Sequence, residues 1–405
     1  ICKNIPKRTP GEEGEKLACE YMADVLKKDG GCETSNVEPF TLHPKSFYGW
    51  VYITVTTALL GVILFYFMPI LSVILMAIGF FVMFMEFGIY KQFIDWMFPK
   101  RTGHNVTAIK KCTGEVKARI FFNGHPDAAW VWPVNNKFGG AVYEGHIVLS
   151  VGGDLAWMIM SIVGTVFLHK KTGKFFFDSF SVANYINVYS MPFFWLSIAM
   201  LVFVPFIFGM YFLWNPKVTV DGANDNLTGC YMGIAILKAM KDAGIELEHT
   251  EVGVILSGCE ESGLRGAKAW IKQHGNEYND VPTWIFAYDT IAESKFLAVN
   301  TRNMNGMIKS DPEATQTFLD SAAELGIQCN KSMVPPFGGG VDSAAFAAGG
   351  YKSVGITALN HVLQDYYHTM KDTYTNLDKD CLEKCYATSV KVLEKFDKMY
   401  GEKEN

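Results

Sequence analysis

Between residues 46 and 85 the chain carries no charged side chain at all. That is about twice the roughly 20 residues of one membrane crossing, so it argues against a solvated surface segment. No Cys-x-x-Cys pair occurs, and the nine cysteines (Cys2, Cys19, Cys32, Cys112, Cys230, Cys259, Cys329, Cys381 and Cys385) are odd in number and scattered. A disulfide framework is thereby disfavoured, and free thiols in a reducing compartment are expected. Basic runs interleaved with aromatics are also missing, and the net charge of −5 is mild, which excludes nucleic acid as a partner. Residues 1–46 are polar and charged throughout, so no signal peptide is expected there. Low-complexity tracts are lacking, and the only internal repetition is a pair of apolar blocks.

What is present is apolar. A hydrophobic fraction of 49% with 30 Phe and 18 Met in 405 residues is high for a wholly soluble protein. Within 46–85, Pro69 lies near the middle, which predicts two helices joined by a tight turn. Residues 87–98, with Tyr90, Phe93, Trp96 and Phe98 beside Lys91 and Asp95, predict an interfacial aromatic helix. The second block comprises 147–168, apolar except for Asp154, and the uncharged 179–214, with Lys170, Lys171 and Lys174 between them. Asp154 would cost about 2.5–3.5 kcal/mol near a bilayer centre, which makes this third span the weakest by composition.

Outside these blocks the pattern changes. Leu17, Ala18, Tyr21, Met22, Val25 and Leu26 share one helical face within 10–30. A strand is expected over 116–122, leading into Gly124-His125-Pro126-Asp127. From 217 onward, strand-like runs (252–256, 284–288, 353–357) alternate with helical ones (227–243, 315–325, 381–399). Such alternation predicts a doubly wound α/β domain with a mostly parallel sheet.

The organising stretch is Ser257-Gly258-Cys259-Glu260-Glu261-Ser262-Gly263, where two adjacent carboxylates follow an apolar strand. In an open α/β sheet the loops beyond strand ends hold ligands, and neighbouring acids repel unless a cation takes one of them. Metal-type ligands recur at other element ends: His125 with Asp127, Asp225, Asp289 and His368. Two His and three acids suit a pair of zinc ions sharing a carboxylate, with Glu260 left over as a base. Singly, each has a structural reading as a core histidine, a turn residue or a solvated helix start.

Together, in this order, they resemble the di-zinc exopeptidase family of bacterial leucyl aminopeptidases, glutamate carboxypeptidase and glutaminyl cyclases. The resemblance rests on Arg8-Thr9-Pro10-Gly11-Glu12-Glu13-Gly14-Glu15, His125-Pro126-Asp127, Gly222-Ala223-Asn224-Asp225-Asn226, Glu260-Glu261-Ser262-Gly263-Leu264-Arg265-Gly266, Asp289, Gly340-Val341-Asp342-Ser343 and His368-Thr369. It implies an α/β, phosphorylase/hydrolase-like fold: a mixed, mostly parallel sheet with helices on both faces, here interrupted by two transmembrane hairpins giving four spans. It also implies that His125, Asp225 and Asp289 hold one zinc while Asp225, Glu261 and His368 hold the other, with Asp225 as the bridge. Asp127 would orient His125. Glu260 would be the general base that takes a proton from a metal-bridging water. Residues 335–342 resemble the family's substrate-side loop, and Cys259 reads as a buried structural thiol.

The implied division is 1–46 as the start of the catalytic domain, 47–99 as hairpin one plus the interfacial helix, 100–146 as its continuation, 147–214 as hairpin two, and 215–405 as the main zinc-peptidase domain. Because His125 and Asp225 must meet, the chain between them crosses the membrane an even number of times. Lys27, Lys28, Lys45, Lys91, Lys100, Arg101, Lys110 and Lys111 nearly balance the loop lysines per segment length, and the free cysteines tip the expectation to a cytoplasmic catalytic domain. The expected substrate is a peptide or amide, hydrophobic or lipid-linked, with membrane lipid as the other partner and the oligomeric state open. An aminopeptidase is the leading expectation. The alternatives are a glutaminyl cyclase-type acyltransferase and a non-catalytic receptor-like member.

Overall fold

Uncharged β-branched runs form the centre of the first of two units. The computed structural model describes residues 1–405 except 180, 276, 337, 361–365 and 402–405. The first unit comprises Ile1–Lys45, Phe98–Val131 and Pro216–Asn405, and the second comprises Ser46–Met97 and Trp132–Asn215.

The strands of the first unit are β1 (Thr34–Leu42), β2 (Arg101–Lys110), β3 (Ala118–Gly124), β4 (Thr250–Leu256), β5 (Thr283–Ile291), β6 (Leu297–Asn300), β7 (Arg302–Asn303), β8 (Ile308–Lys309), β9 (Asn330–Ser332) and β10 (Lys352–Ala358). Eight form one sheet in the order β1-β2-β4-β3-β5-β10-β6-β9, and β7-β8 is a separate hairpin. The central run β4-β3-β5-β10 is parallel throughout, while β1-β2, β2-β4 and β10-β6 are antiparallel. This is the mixed, mostly parallel sheet expected. Every residue of β3 and β4 is buried, which is why those strands lack the polar alternation of one-sided sheets.

Both faces are covered. Ile120 and Phe122 join a core with Ala18, Met22, Leu26, Leu237, Phe318 and Phe396, contributed by helices Glu13–Lys28, Thr228–Asp242, Pro312–Glu324 and Lys379–Phe396. Phe121, pointing the other way, packs edge-on against Trp270 of helix Arg265–His274 and against Tyr278.

Register brings the strand ends level. Gly124 pairs with Leu256, Asn123 with Ala287, and Asp289 with Thr357. His125 and Asp289 therefore each sit two residues beyond the Asn123–Ala287 couple, and the 257–264 loop starts level with His125.

In the second unit, four helices among the described residues are long and apolar enough to cross a membrane: Ser46–Phe65, Pro69–Gly88, Gly140–Thr172 and Met191–Phe212. Small and hydroxyl residues let them approach closely. Thr54 Oγ1 donates to Gly79 O at 2.9 Å, and the hydroxyls of Ser72 and Ser161 lie 2.8 Å apart.

One local expectation changes. Residues 87–98 are not one helix: Phe84–Gly88 is a π-helical turn, Tyr90 has φ of 55°, and only Asp95–Met97 returns to a 3₁₀ turn. Glu86 accepts the Ile94 amide at 2.8 Å, so the chain folds back where a helix would have run on. The 179–214 stretch is helical in pieces, broken at Ser190 (φ 89°) before Pro192 and again near Pro205, because proline cannot donate to the preceding turn. Residues 132–146 group with the second unit, and its long helix starts at Gly140.

Candidate metal centre

The parallel strands deliver their ligand-bearing loops to one end of the sheet. His125 follows β3 directly and is 2% exposed. Its Nδ1 lies 3.4 Å from Asp127 Oδ1, and its Nε2 lies 3.3 Å from Asp225 Oδ1 and 3.8 Å from Glu260 Oε2.

Asp225 comes from the loop before helix Thr228–Asp242. Gly222 turns that loop with φ of +57°, and a Cβ there would lie 2.8 Å from the Ala128 side chain. The Asp225-Asn226 peptide is cis. Asn226 anchors the turn, donating from Nδ2 to Tyr288 O at 2.7 Å and accepting the Gly229 amide at 3.0 Å. Asp225 Oδ2 faces the other histidine, 3.2 Å from His368 Nε2, and that same nitrogen is 3.2 Å from Glu261 Oε2. One carboxylate thus faces two imidazoles, one with each oxygen.

The two glutamates sit in a tight loop in which Cys259 and Leu264 both adopt left-handed backbone conformations. Asp127 accepts the amide of Glu260 through Oδ1 and that of Glu261 through Oδ2, both at 3.1 Å. Asp289, within β5, accepts the Thr290 hydroxyl at 2.8 Å, and it has an oxygen within 4.8 Å of ligand atoms of His125 and Glu260. All seven residues singled out in the sequence therefore meet in one place.

Their electrostatics follow from crowding. Burial pushes the Glu261 carboxyl up to about 7 and the Asp289 carboxyl up to about 6, with Asp225 adding to both shifts. Burial also raises Glu260 well above the carboxylate range, against the opposing pull of His125. For His368, burial lowers the pKa but Glu261 and Asp225 outweigh it and bring it to about 10. Acids so close in a dry site cannot all be charged unless cations join them.

The donor set fits zinc. Imidazole nitrogens and carboxylate oxygens are zinc ligands, and His125 Nε2, Asp225 Oδ2 and Glu261 Oε1 are buried without a hydrogen bond of standard geometry. Cys259 offers no nucleophile: it is buried, its thiol lies 3.7 Å from Glu15 Oε1, and burial raises its pKa well above the ordinary thiol value. In the substrate-side loop expected over 335–342, Phe337 lies outside the described residues. Asp342 is buried there, and its carboxyl is pushed up to about 7.

Two supporting residues escaped sequence reasoning. Asp372 accepts the amides of Asn224 and Asp225, and its only signal was its place four residues after His368. Arg8, seen only as part of an opening motif, donates from Nε to Pro126 O at 2.9 Å and from Nη2 to Asp221 O at 2.6 Å and Gly222 O at 3.2 Å. One buried guanidinium thereby ties the His125 loop to the Asp225 loop.

Residues 209–393 match the profile of Peptidase family M28. The chain is similar in structure to BSAP, a zinc aminopeptidase from Bacillus subtilis, at 12% identity and a TM-score of 0.55, covering 100% of this chain and 94% of that one. It is also similar to a glutaminyl cyclase from Porphyromonas gingivalis, at 12% identity and a TM-score of 0.52, covering 97% and 94%. An aminopeptidase from Aneurinibacillus sp. strain AM-1 aligns at 15% identity and a TM-score of 0.43 over 73% of this chain, which spans about half (48%) of that protein's length. No curated protein sequence matches the chain.

Proposed function

We propose that the first unit is a zinc peptidase of the di-zinc exopeptidase type, a reading supported by the match of residues 209–393 to Peptidase family M28, and that this chain is a membrane-embedded exopeptidase hydrolysing an amide bond in the aminopeptidase direction. The observation that carries this reading is Asp225, whose Oδ1 lies 3.3 Å from His125 and whose Oδ2 lies 3.2 Å from His368. A carboxylate so placed suits the bridge between two metal ions.

His125, Asp225 and Asp289 would hold one zinc, and Asp225, Glu261 and His368 the other. Zinc bound there supplies polarisation of a carbonyl and acidification of water towards a pKa of about 7. Glu260, raised above the carboxylate range by burial, takes the proton of the attacking water and returns it to the leaving amine. Asp127 does not touch substrate: it orients the His125 ring and holds the amides of both glutamates.

The apolar unit leaves and rejoins the chain close to the ligands in sequence. Trp132 opens one insertion five residues after Asp127, and Asn215 closes it ten residues before Asp225. This supports a hydrophobic or lipid-linked amide as substrate. The unpaired thiols support a cytoplasmic peptidase unit, and half-buried Cys112 and Cys329 are then expected to resist an impermeant thiol reagent on intact cells.

A second reading, cyclisation of an N-terminal glutamine, is favoured by the fold shared with the Porphyromonas gingivalis glutaminyl cyclase. The deciding experiment is a screen of peptides, N-acyl amino acids and lipidated amides on the purified full chain, with and without chelator. Release of free amino acid by zinc-loaded protein supports the peptidase, and pyroglutamate formation supports the cyclase. Glu260→Gln is expected to lose about 10²–10⁴-fold in turnover at unchanged zinc content. Full amidase activity in that variant, or in zinc-free protein, overturns the mechanism.

A further inference from the structure

Asp154 stands inside the apolar unit, on the helix Gly140–Thr172, and is 4% exposed. Among the described residues it makes no hydrogen bond, and its Oδ1 is fully enclosed. It lines a small cavity with Trp50, Thr54, Phe80, Ser150, Ile207 and Met210, so side chains from three of the apolar helices and from the 204–212 segment converge on it. The free volume is about 20 Å³. A single water needs about 10–15 Å³, so there is space for one water-sized occupant and none for an organic ligand.

The polar neighbours of Asp154 present lone pairs. The Ser150 hydroxyl proton is committed to the carbonyls of His146 (2.7 Å) and Phe206 (2.8 Å), and that of Thr54 to the carbonyl of Gly79 (2.9 Å). Among the described residues the Trp50 indole is the only N–H side chain in the lining, no hydrogen bond joins it to Asp154, and no Lys, Arg or His lines the cavity. A water molecule there would leave the carboxylate charge uncompensated in a bundle where isolated charge is costly. A cation of one positive charge removes it, whereas a divalent ion would leave an excess of one. Oxygen-only ligands and the tight space select a small, hard ion.

We propose that Asp154, with the hydroxyl oxygens of Ser150 and Thr54, forms a binding site for one small monovalent cation, sodium, within the apolar unit. The site is separate from the zinc ligands and does not depend on the peptidase reading. Bound sodium would tie together the helices Ser46–Phe65 and Gly140–Thr172.

The test is thermal unfolding of the full chain in detergent at fixed pH and constant zinc, in sodium chloride or choline chloride of equal ionic strength. The wild type is expected to gain about 3 °C or more, saturably, in sodium, and Asp154→Asn to gain nothing. Ser150→Ala, which leaves the carboxylate and the helix intact, is expected to need about tenfold more sodium for half the effect. Equal midpoints of the wild type in the two salts overturn the site. So does a sodium response that survives in Asp154→Asn, or a midpoint that follows pH but not sodium, which would mean a protonated carboxyl.

Discussion

Asp372 holds the backbone of Asp225 from 147 residues away: its Oδ2 accepts the Asp225 amide at 3.1 Å, while its Oδ1 accepts the Asn224 amide at 2.7 Å. The Asn224 side chain adds a third donor at 3.0 Å. Asp127 does the same for Glu260 and Glu261. Two buried carboxylates therefore act on main chain, and those of Asp225, Glu260 and Glu261 are left to face the two histidines.

Asp372→Asn keeps the side-chain shape but replaces one acceptor oxygen with a donor, so one of the two amides loses its partner. Zinc affinity is expected to fall about 10–100-fold, with kcat/KM following it. Competition against a chromogenic chelator measures this, and an unchanged affinity would remove Asp372 from the ligand support.

Arg8 bonds three carbonyls on two loops and is 1% exposed. Lysine keeps the charge but not the planar fork, so Arg8→Lys is expected to cost about 2–4 kcal/mol, read as a lowered urea midpoint. Arg8→Ala should cost at least as much. If the lysine variant unfolds like wild type, charge alone was sufficient and the fork geometry is irrelevant.

Gly258 has no room for a side chain. A Cβ would stand 2.1 Å from His104 O and 2.2 Å from Glu15 Oε1. Gly258→Ala is expected to destabilise by about 1–3 kcal/mol and to displace the adjacent glutamate loop, lowering activity beyond what the stability loss explains. Gly145→Ala is the control: nothing lies within 4 Å of its Cβ position in a helix, so it should be neutral or mildly stabilising. Equal behaviour of the two variants in calorimetry would contradict the packing.

His274 joins Glu38 through Nε2 at 3.0 Å and Glu277 through Nδ1 at 2.5 Å. Burial lowers its pKa, but the two carboxylates outweigh burial and raise it above the ordinary value. A raised folded pKa stabilises fully below the unfolded value of about 6.5, and the gain is lost as pH rises through the folded value. The stability difference between wild type and His274→Gln should therefore be largest near pH 5.5 and shrink on the alkaline side. A difference that widens with pH in urea titrations would reverse the assignment.

The sequence by itself marked the candidate site residues and much of the local structure. The uncharged β-branched run at 252–256 could only be a strand buried on both faces, and β4 is that strand. The uncharged 46–85 stretch and the apolar blocks at 147–168 and 179–214 marked where helices long and apolar enough to cross a membrane lie, at Ser46–Phe65, Pro69–Gly88, Gly140–Thr172 and Met191–Phe212. Residue identity marked His125, Asp127, Asp225, Glu260, Glu261, Asp289 and His368, because few side chains can bind a metal or carry its proton. Tertiary structure alone decided which of them face one another, since that depends on the register of β3 with β4 and β5 and on loops closing across more than a hundred residues. It also decided the roles of Arg8 and Asp372, whose partners are main-chain atoms that every residue possesses and no motif can reveal. The break in 87–98 was hidden for the same reason: the Glu86 carboxylate meets a backbone amide that becomes available only once the chain has turned. For Glu260 and Glu261, adjacency was written in the sequence. What tells them apart is the fold, which sets Glu260 Oε2 3.8 Å from His125 Nε2 and Glu261 Oε2 3.2 Å from His368 Nε2.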